Sequence, residues 1–315
     1  MKYFLSLLSI MSTLLHVQAQ TNVWQPSPGH SQTSLWPGTP PDSRPVAGPE
    51  YSDWSPNPVA GKPRVIVGRV TEPTLTLYSP TGTNTGIAVL VFPGGAYHQL
   101  AIDHEGFEVC GWLASRGITG ILVKYRVPGA QLYTDSGFPK SGPFPESPIA
   151  LEDAQRAMGL VRSHAAEWHV DSRKIGVLGF SAGGHLVAAV STHFDQRLYS
   201  PVDGADRVSC RPDFVVSLYP GYMMDDTNEF KLTVGIPITT NTPPTLIVHA
   251  EDDPAVPVDY SLVYYHALKK AGVPAEMHLF AEGGHGFGGR QTKLPITHWP
   301  QLMETWLGTI GMISR

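Results

Sequence analysis

The sequence predicts an α/β fold with a mostly parallel central sheet and helices on both faces. Three observations carry this. Short apolar runs recur along the chain, stretches of helical period separate them, and several runs are apolar at every position rather than at alternate ones. A strand buried on both faces has no solvent side and reads as a continuous apolar run. Strands that alternate with helices build a parallel sheet covered on both sides.

In chain order, the first element is a leader. A single lysine, Lys2, precedes an apolar run to Leu15, and Val17 and Ala19 supply acceptable residues before a cleavage at Gln20. This is the pattern of an export signal over residues 1–19, which places the mature chain in a secreted or periplasmic compartment. A membrane anchor is the weaker reading, because a spanning helix needs ~20 apolar residues. No later stretch is long and apolar enough to span a membrane, so no integral membrane association is expected. Residues 20–62 are crowded with Pro, Gly, Ser and Thr and carry Trp24, Trp36 and Trp54. Such composition does not build its own core; an extended arm pinned by its tryptophans is expected, ahead of a catalytic domain over residues 63–315.

Within that domain, Val65-Ile66-Val67 and the alternating Thr74-Leu75-Thr76-Leu77-Tyr78 predict two short strands paired as a hairpin at the sheet edge. Buried strands follow at Ile87 to Phe92, Ile118 to Tyr125, Ile175 to Phe180, Phe214 to Tyr219, Thr245 to Ala250 and Glu276 to Phe280. The clearest helix runs from Pro148 to Trp168, with Ile149, Ala150, Ala154, Ala157, Met158 and Val161 on one face. No internal repeat interrupts this order.

Composition narrows the function classes. Of 315 residues, 42% are hydrophobic and 16% charged, so a large core is available. The formal charge is −5 with no Lys/Arg cluster, which gives a nucleic-acid partner no electrostatic footing. Cys110 and Cys210 are the two cysteines. Export permits a disulfide between them, but Cys110 lies in a helical segment as a plausible core residue, and two buried thiols remain equally compatible.

The most informative stretch is Gly179-Phe180-Ser181-Ala182-Gly183. The five-residue pattern alone is weak. Here it follows the strand ending at Phe180 and opens the helical run Leu186 to Val190, and a serine in a sharp strand-to-helix turn is thrust out at the carboxyl end of a parallel strand. Such a serine is inert at neutral pH unless a base takes its proton. In this architecture the partners follow in the order serine, acid, histidine. Beyond the strand ending at Ala250 comes Glu251-Asp252-Asp253-Pro254-Ala255-Val256-Pro257, and beyond the strand ending at Phe280 comes Gly283-Gly284-His285-Gly286-Phe287. Ser181 is therefore the candidate nucleophile, Asp253 the candidate acid with Asp252 as runner-up, and His285 the candidate base on a glycine-rich loop able to swing over the serine.

Each has a plainer reading. Asp252 and Asp253 have the composition of a helix cap near Pro257, and His285 that of an ordinary loop residue; their joint order is what favours chemistry. His185 reads as packing on the elbow helix and His249 as a structural strand-end residue. The remaining histidines lack metal-site spacing and no His-Glu-x-x-His occurs, so no metal or other cofactor is expected. After the strand ending at Phe92 the chain reads Pro93-Gly94-Gly95-Ala96-Tyr97. Small residues there let backbone N–H groups approach a developing oxyanion, which assigns that role to the amides of Gly95, Ala96 and Ala182. Read alone, Pro-Gly-Gly is an ordinary turn.

Taken together, Leu35 to Gly38, Phe92 to Tyr97, Glu105-Gly106, Val123 to Pro128, Asp153 to Ala157, Gly179 to His185, Asp252 to Pro257 and Gly283 to Phe287 resemble the α/β-hydrolase carbohydrate esterases of the acetylxylan-esterase type, close to the bacterial feruloyl-esterase-like branch. These blocks cover most of the chain beyond the leader. The resemblance implies Ser181 as nucleophile, Asp253 as acid, His285 as base, and acylated plant polysaccharide or oligosaccharide as substrate. One departure is Ala96, where many relatives carry glycine; its methyl group narrows the acyl pocket and favours acetyl over a bulky aromatic acyl group. The expected activity is removal of acetyl groups from xylan or related hemicellulose. A feruloyl esterase is the first alternative. A prolyl-oligopeptidase-like peptidase lacks sequence here for its gating domain, and a non-catalytic carbohydrate-binding protein would be expected to have lost a triad member. Tyr97, Tyr125, Tyr133 and Tyr222 are candidates for sugar stacking or for packing.

Overall fold

The computed structural model describes residues 23–43, 45–128, 148–224 and 230–313. The expected leader, residues 1–19, and Tyr133 lie outside these residues. The strands are β1 (Gln32–Ser34), β2 (Tyr51–Val59), β3 (Lys62–Gly68), β4 (Thr74–Tyr78), β5 (Ala88–Phe92), β6 (Gln99–Ala101), β7 (Thr119–Lys124), β8 (Ile175–Phe180), β9 (Val215–Leu218), β10 (Thr245–Ala250) and β11 (Ala275–Phe280). The helices are α1 (Glu108–Ser115), α2 (Pro148–Ser163), α3 (Ala182–Val190), α4 (Asp259–Lys270) and α5 (Trp299–Thr309).

Eight strands form one sheet in the order β1-β4-β7-β5-β8-β9-β10-β11. From β7 to β11 every neighbouring pair is parallel, while β4 runs antiparallel to both β7 and β1. The central strands β5, β7, β8, β9 and β10 are buried at every residue, as their unbroken apolar runs require. Each parallel strand ends at the same rim of the sheet, so the loops after β5, β8, β10 and β11 meet there. This is the α/β-hydrolase architecture.

Two features of the first hundred residues differ from expectation. β3 and β4 do not pair as a hairpin. β3 joins β2 and β6 in a separate three-stranded antiparallel sheet, whereas β4 enters the main sheet between β1 and β7. The link between them is no tight turn: Arg69 takes a left-handed φ of 54°, and Val70 exchanges backbone hydrogen bonds of 3.1 Å with Val127, which carries the chain from one sheet to the other. The residues before Lys62 supply β1 to the main sheet and β2 to the small one. Trp24 and Trp36 are buried there, but Trp54 is 67% exposed and pins nothing. Trp36 donates its indole N–H to Asp153 at 2.8 Å, with the guanidinium groups of Arg126 and Arg156 over its ring at 5.9 and 5.6 Å.

That contact explains a further difference, in α2. The apolar face foreseen over Ile149 to Val161 is buried, and so are Glu152, Asp153 and Arg156 flanking it. The N-terminal segment and Arg126 cover that flank. Arg126 donates to both Glu152 and Asp153, and Arg156 reaches Asp206, so each buried charge has an opposite partner. Helical structure ends at Ser163 and is followed by turns up to residue 169. Cys110 and Cys210 are both buried free thiols. Among the described residues no helix is long and apolar enough to cross a membrane.

Candidate active site

The elbow is built by close packing around two glycines. A Cβ on Gly179 would stand 2.1 Å from the carbonyl oxygen of Gly183, and a Cβ on Gly183 would stand 2.1 Å from that of Phe92. No side chain fits either place. Between them Ser181 adopts φ 51° and ψ −116°, a conformation that costs a non-glycine residue about 1–3 kcal/mol. The surroundings over-determine it. Ser181 N–H donates to Leu218 O at 3.0 Å, and Ser181 O accepts from the amides of His185 and Gly221 at 3.0 and 3.2 Å. The backbone is held whatever the side chain, and the hydroxyl points off the sheet's rim.

There it meets His285. The Ser181 hydroxyl lies 3.0 Å from His285 Nε2, and His285 Nδ1 lies 2.7 Å from Asp253 Oδ2. With hydrogen on Nδ1, the imidazole donates to the carboxylate and accepts from the serine. Asp253 also forms a turn: its Oδ1 accepts from the amides of Ala255 and Val256 at 2.8 and 2.9 Å. Its cap-like composition and its contact with the histidine are thus both real, on different oxygens. Burial acts to raise the Asp253 carboxyl, but hydrogen bonds from His249, His285 and the Val256 amide outweigh it and hold the group well below the ordinary carboxylate range. It stays ionised wherever a histidine titrates.

Asp252 does something else. Its Oδ1 accepts from the amides of Gly283 and Gly284 at 2.8 and 2.7 Å. The histidine loop is therefore pinned rather than free to swing. A second tie holds its far end, where Trp299 Nε1 donates to Gly288 O at 2.8 Å.

On the other side of the serine, Gly95, Ala96 and Tyr97 take φ values of 137°, 55° and 59° in succession. This folds the chain after β5 back beside the elbow; a Cβ on the preceding Gly94 would stand 2.9 Å from Ser181 Cβ. Gly95, Ala96, Ser181 and His285 line one cavity of about 360 Å³. Among the described residues neither the Gly95 nor the Ala96 amide has a protein acceptor. Ala182 is the first residue of α3, where helix amides have no partner within the helix. Of the other histidines, His185 is buried against the Tyr97 hydroxyl at 2.9 Å, and burial depresses its basicity to a pKa of about 3, so the ring is neutral. Tyr97 and Tyr125 are buried in packing contacts, and Tyr222 packs at 5.8 Å from the Tyr97 ring.

Two residues carry more than the sequence reading gave them. His249 ends β10, and its Nε2 lies 3.3 Å from Asp253 Oδ2 while Nδ1 meets Ser261 Oγ at 2.7 Å. The same Nε2 lies 3.1 Å from Val256 O, so His249 holds both the Asp253 carboxylate and the turn that follows it. Glu105 is buried in a π-helical turn over Asp103–Phe107. One of its oxygens accepts from Gly94 N–H at 2.8 Å; the other accepts from the Tyr219 hydroxyl at 2.8 Å, which accepts in turn from Gly288 N–H at 3.2 Å. A single carboxylate thereby ties the glycine turn after β5 to the histidine loop. In the sequence Glu105 stands out only through Glu105-Gly106, one of the blocks that carry the family resemblance. Glu105→Ala strands two buried donors at about 1–3 kcal/mol each. The expected outcome is a fall of several degrees in melting temperature and a loss of turnover that exceeds the change in KM, measured by calorimetry and steady-state kinetics.

The chain has recognisable relatives. The prolyl oligopeptidase family model (Peptidase_S9) matches residues 152–309, and the BD-FAE model matches residues 75–222. An acetylxylan esterase of Xylanibacter ruminicola is 30% identical over 226 residues, which is 65% of this chain and 42% of that protein. Endo-1,4-beta-xylanase B of Butyrivibrio fibrisolvens is 30% identical over 215 residues, 63% of this chain and 32% of that protein. The chain thus spans less than half the length of these relatives. Among solved structures, an acetyl ester-xyloside bifunctional hydrolase from Caldicellulosiruptor lactoaceticus superposes with a TM-score of 0.68 at 33% identity, covering 94% of this chain and all of that one.

Proposed function

The chain belongs to the acetylxylan-esterase type of α/β-hydrolase, and from that premise we propose that it is a serine esterase removing acetyl groups from xylan or related hemicellulose through an acyl-enzyme. The observation that carries the reading is the unbroken line from Asp253 through His285 to Ser181, which shares one cavity with Gly95 and Ala96 and is followed in the chain by Ala182 at the helix start.

The steps follow from this line. His285 Nε2 takes the proton of Ser181 as its oxygen attacks the acetyl carbonyl. Charge moves onto the carbonyl oxygen, where the Gly95, Ala96 and Ala182 amides receive it; each such donor contributes about 10²–10³ in rate. The imidazolium that forms is stabilised by ionised Asp253, and it then protonates the departing sugar alkoxide. Water, deprotonated by the same nitrogen, hydrolyses the acetyl-enzyme and restores the serine. Ala96 lines the cavity with Ser181, and a methyl group in place of a glycine hydrogen there narrows the acyl pocket and favours acetyl over feruloyl. A polymeric substrate outside the cell fits the export signal read at residues 1–19.

Two measurements test the proposal. A fluorophosphonate probe is expected to label Ser181 covalently. Wild-type protein is expected to release acetate from acetylated xylan and to cleave a feruloyl ester of the same sugar at least about a hundredfold more slowly, since a pocket clash of a few kcal/mol has that effect. No labelling removes the esterase reading; faster feruloyl release makes the protein a feruloyl esterase.

A further inference from the structure

The three-stranded sheet presents one face to the catalytic cavity. Between β3 and β6, Ile66 lies opposite Ala101 and Gly68 opposite Gln99; between β2 and β3, Ser55 lies opposite Arg64 and Asp53 opposite Ile66. Opposed residues of an antiparallel pair share a face, as do residues two apart along a strand. Arg64, Ile66, Gln99 and Ala101 are therefore on one side of this sheet, and all four line the cavity that holds Ser181 and His285. Asp53 and Ser55 continue that side onto the outer strand. The other side carries Val67 and Leu100, both buried in the core.

Arg64 stands where the sheet meets the chemistry. Its Nε donates to Asn57 O at 2.8 Å and its Nη2 to Ser55 Oγ at 2.9 Å, so the guanidinium is held by neutral groups. Its Nη1 lies 4.0 Å from where a Cβ on Gly286 would stand, next to the histidine. A fixed cationic donor, an aliphatic patch and exposed polar side chains on rigid strands suit a neutral, hydroxyl-rich ligand, not an apolar chain. Strands ~4.8 Å apart make the face roughly 10 Å across, the scale of a short run of sugar rings.

We propose that this face seats the carbohydrate chain whose ester is cleaved: from the cavity the neutral oligosaccharide crosses β6 and β3 toward β2, with hydroxyls on Arg64, Gln99 and Asp53 and a sugar C–H face on Ile66. The proposal rests on the esterase reading and adds where the leaving alcohol is held. Because the sheet has two sides, alternation along β2 tests it. Asp53 belongs to the cavity side, whereas its neighbour Trp54 belongs to the opposite side and is 67% exposed.

The experiment compares kcat/KM on acetylated xylotetraose with that on 4-nitrophenyl acetate for Arg64→Ala, Asp53→Ala and Trp54→Ala. The ratio is expected to fall about tenfold for Arg64→Ala, the value of one hydrogen bond to a charged group, and about threefold for Asp53→Ala, both through KM. Trp54→Ala is expected to hold the ratio within about twofold. Asp53 is exposed, so its variant remains informative if loss of Arg64 disturbs the small sheet. Flat ratios for both cavity-side variants, or an equal fall for Trp54→Ala, overturn the proposal. Calorimetric titration of the Ser181→Ala protein with unacetylated xylotetraose separates the two levels. Binding that Arg64→Ala weakens supports the seat independently of turnover. Wild-type protein that cleaves the aryl ester, yet neither deacetylates nor binds any xylo-oligosaccharide, overturns the substrate class and the seat together.

Discussion

Ser181→Ala is expected to lower kcat on an acetylated aryl ester by about 10⁶-fold, the loss seen when the nucleophile of such a site is removed, while the circular-dichroism spectrum and melting temperature stay close to wild type. Both halves follow from the elbow. The nucleophile's reactivity resides in one oxygen, which alanine lacks. The backbone conformation, by contrast, is imposed by Leu218, His185 and Gly221 through main-chain bonds that alanine keeps. Alanine tolerates a positive φ no worse than serine does, so fold and chemistry separate cleanly at this residue. A Ser181→Ala protein with wild-type turnover would remove the mechanism altogether.

The second large effect is expected at the acid. Asp253→Asn should reduce kcat by about 10⁴-fold. The asparagine oxygen can still accept one of the hydrogen bonds now made by the carboxylate, but the amide nitrogen is a donor. Turned toward His285, it forces the imidazole to carry its hydrogen on Nε2, facing the serine, where a base is needed; and a neutral side chain cannot stabilise the imidazolium. Asp252→Asn should cost about tenfold or less. Asp252 accepts from two backbone amides through a single oxygen, a job the asparagine oxygen can do, with loss of the charge-assisted part of about 1 kcal/mol. Single-turnover kinetics on both variants decide between the neighbouring aspartates, and a larger loss at Asp252 would transfer the acid's role to it.

Which parts of this molecule were legible beforehand depended on the range of the interactions concerned. The strands of the main sheet announce themselves because burial on both faces leaves a local signature, as at Ala88–Phe92 and Ile175–Phe180. Ser181, Asp253 and His285 stand just beyond such strands, so their meeting at one rim follows from the parallel topology. Pairing of β3 was not legible, since Val65 to Val67 look equally suited to β4 or to β2, and the choice is made by Val127, far along the chain. Asp252 and Asp253 differ only in which way each carboxylate turns off the end of β10. Glu105 has no local signature of its purpose, because its partners Gly94, Tyr219 and Gly288 come from three separate loops.

The lodging of Trp36 against Asp153 has a consequence for how the protein is made. The two residues are 117 positions apart, so this lodging closes only once the chain has been synthesised as far as Asp153, nearly half of the polypeptide. β2 and β3 are neighbours in the chain and can pair early, whereas the main sheet waits for β8 to β11. Domains generally fold as units; here the buried indole of the first segment reaches its acceptor only when α2 is present.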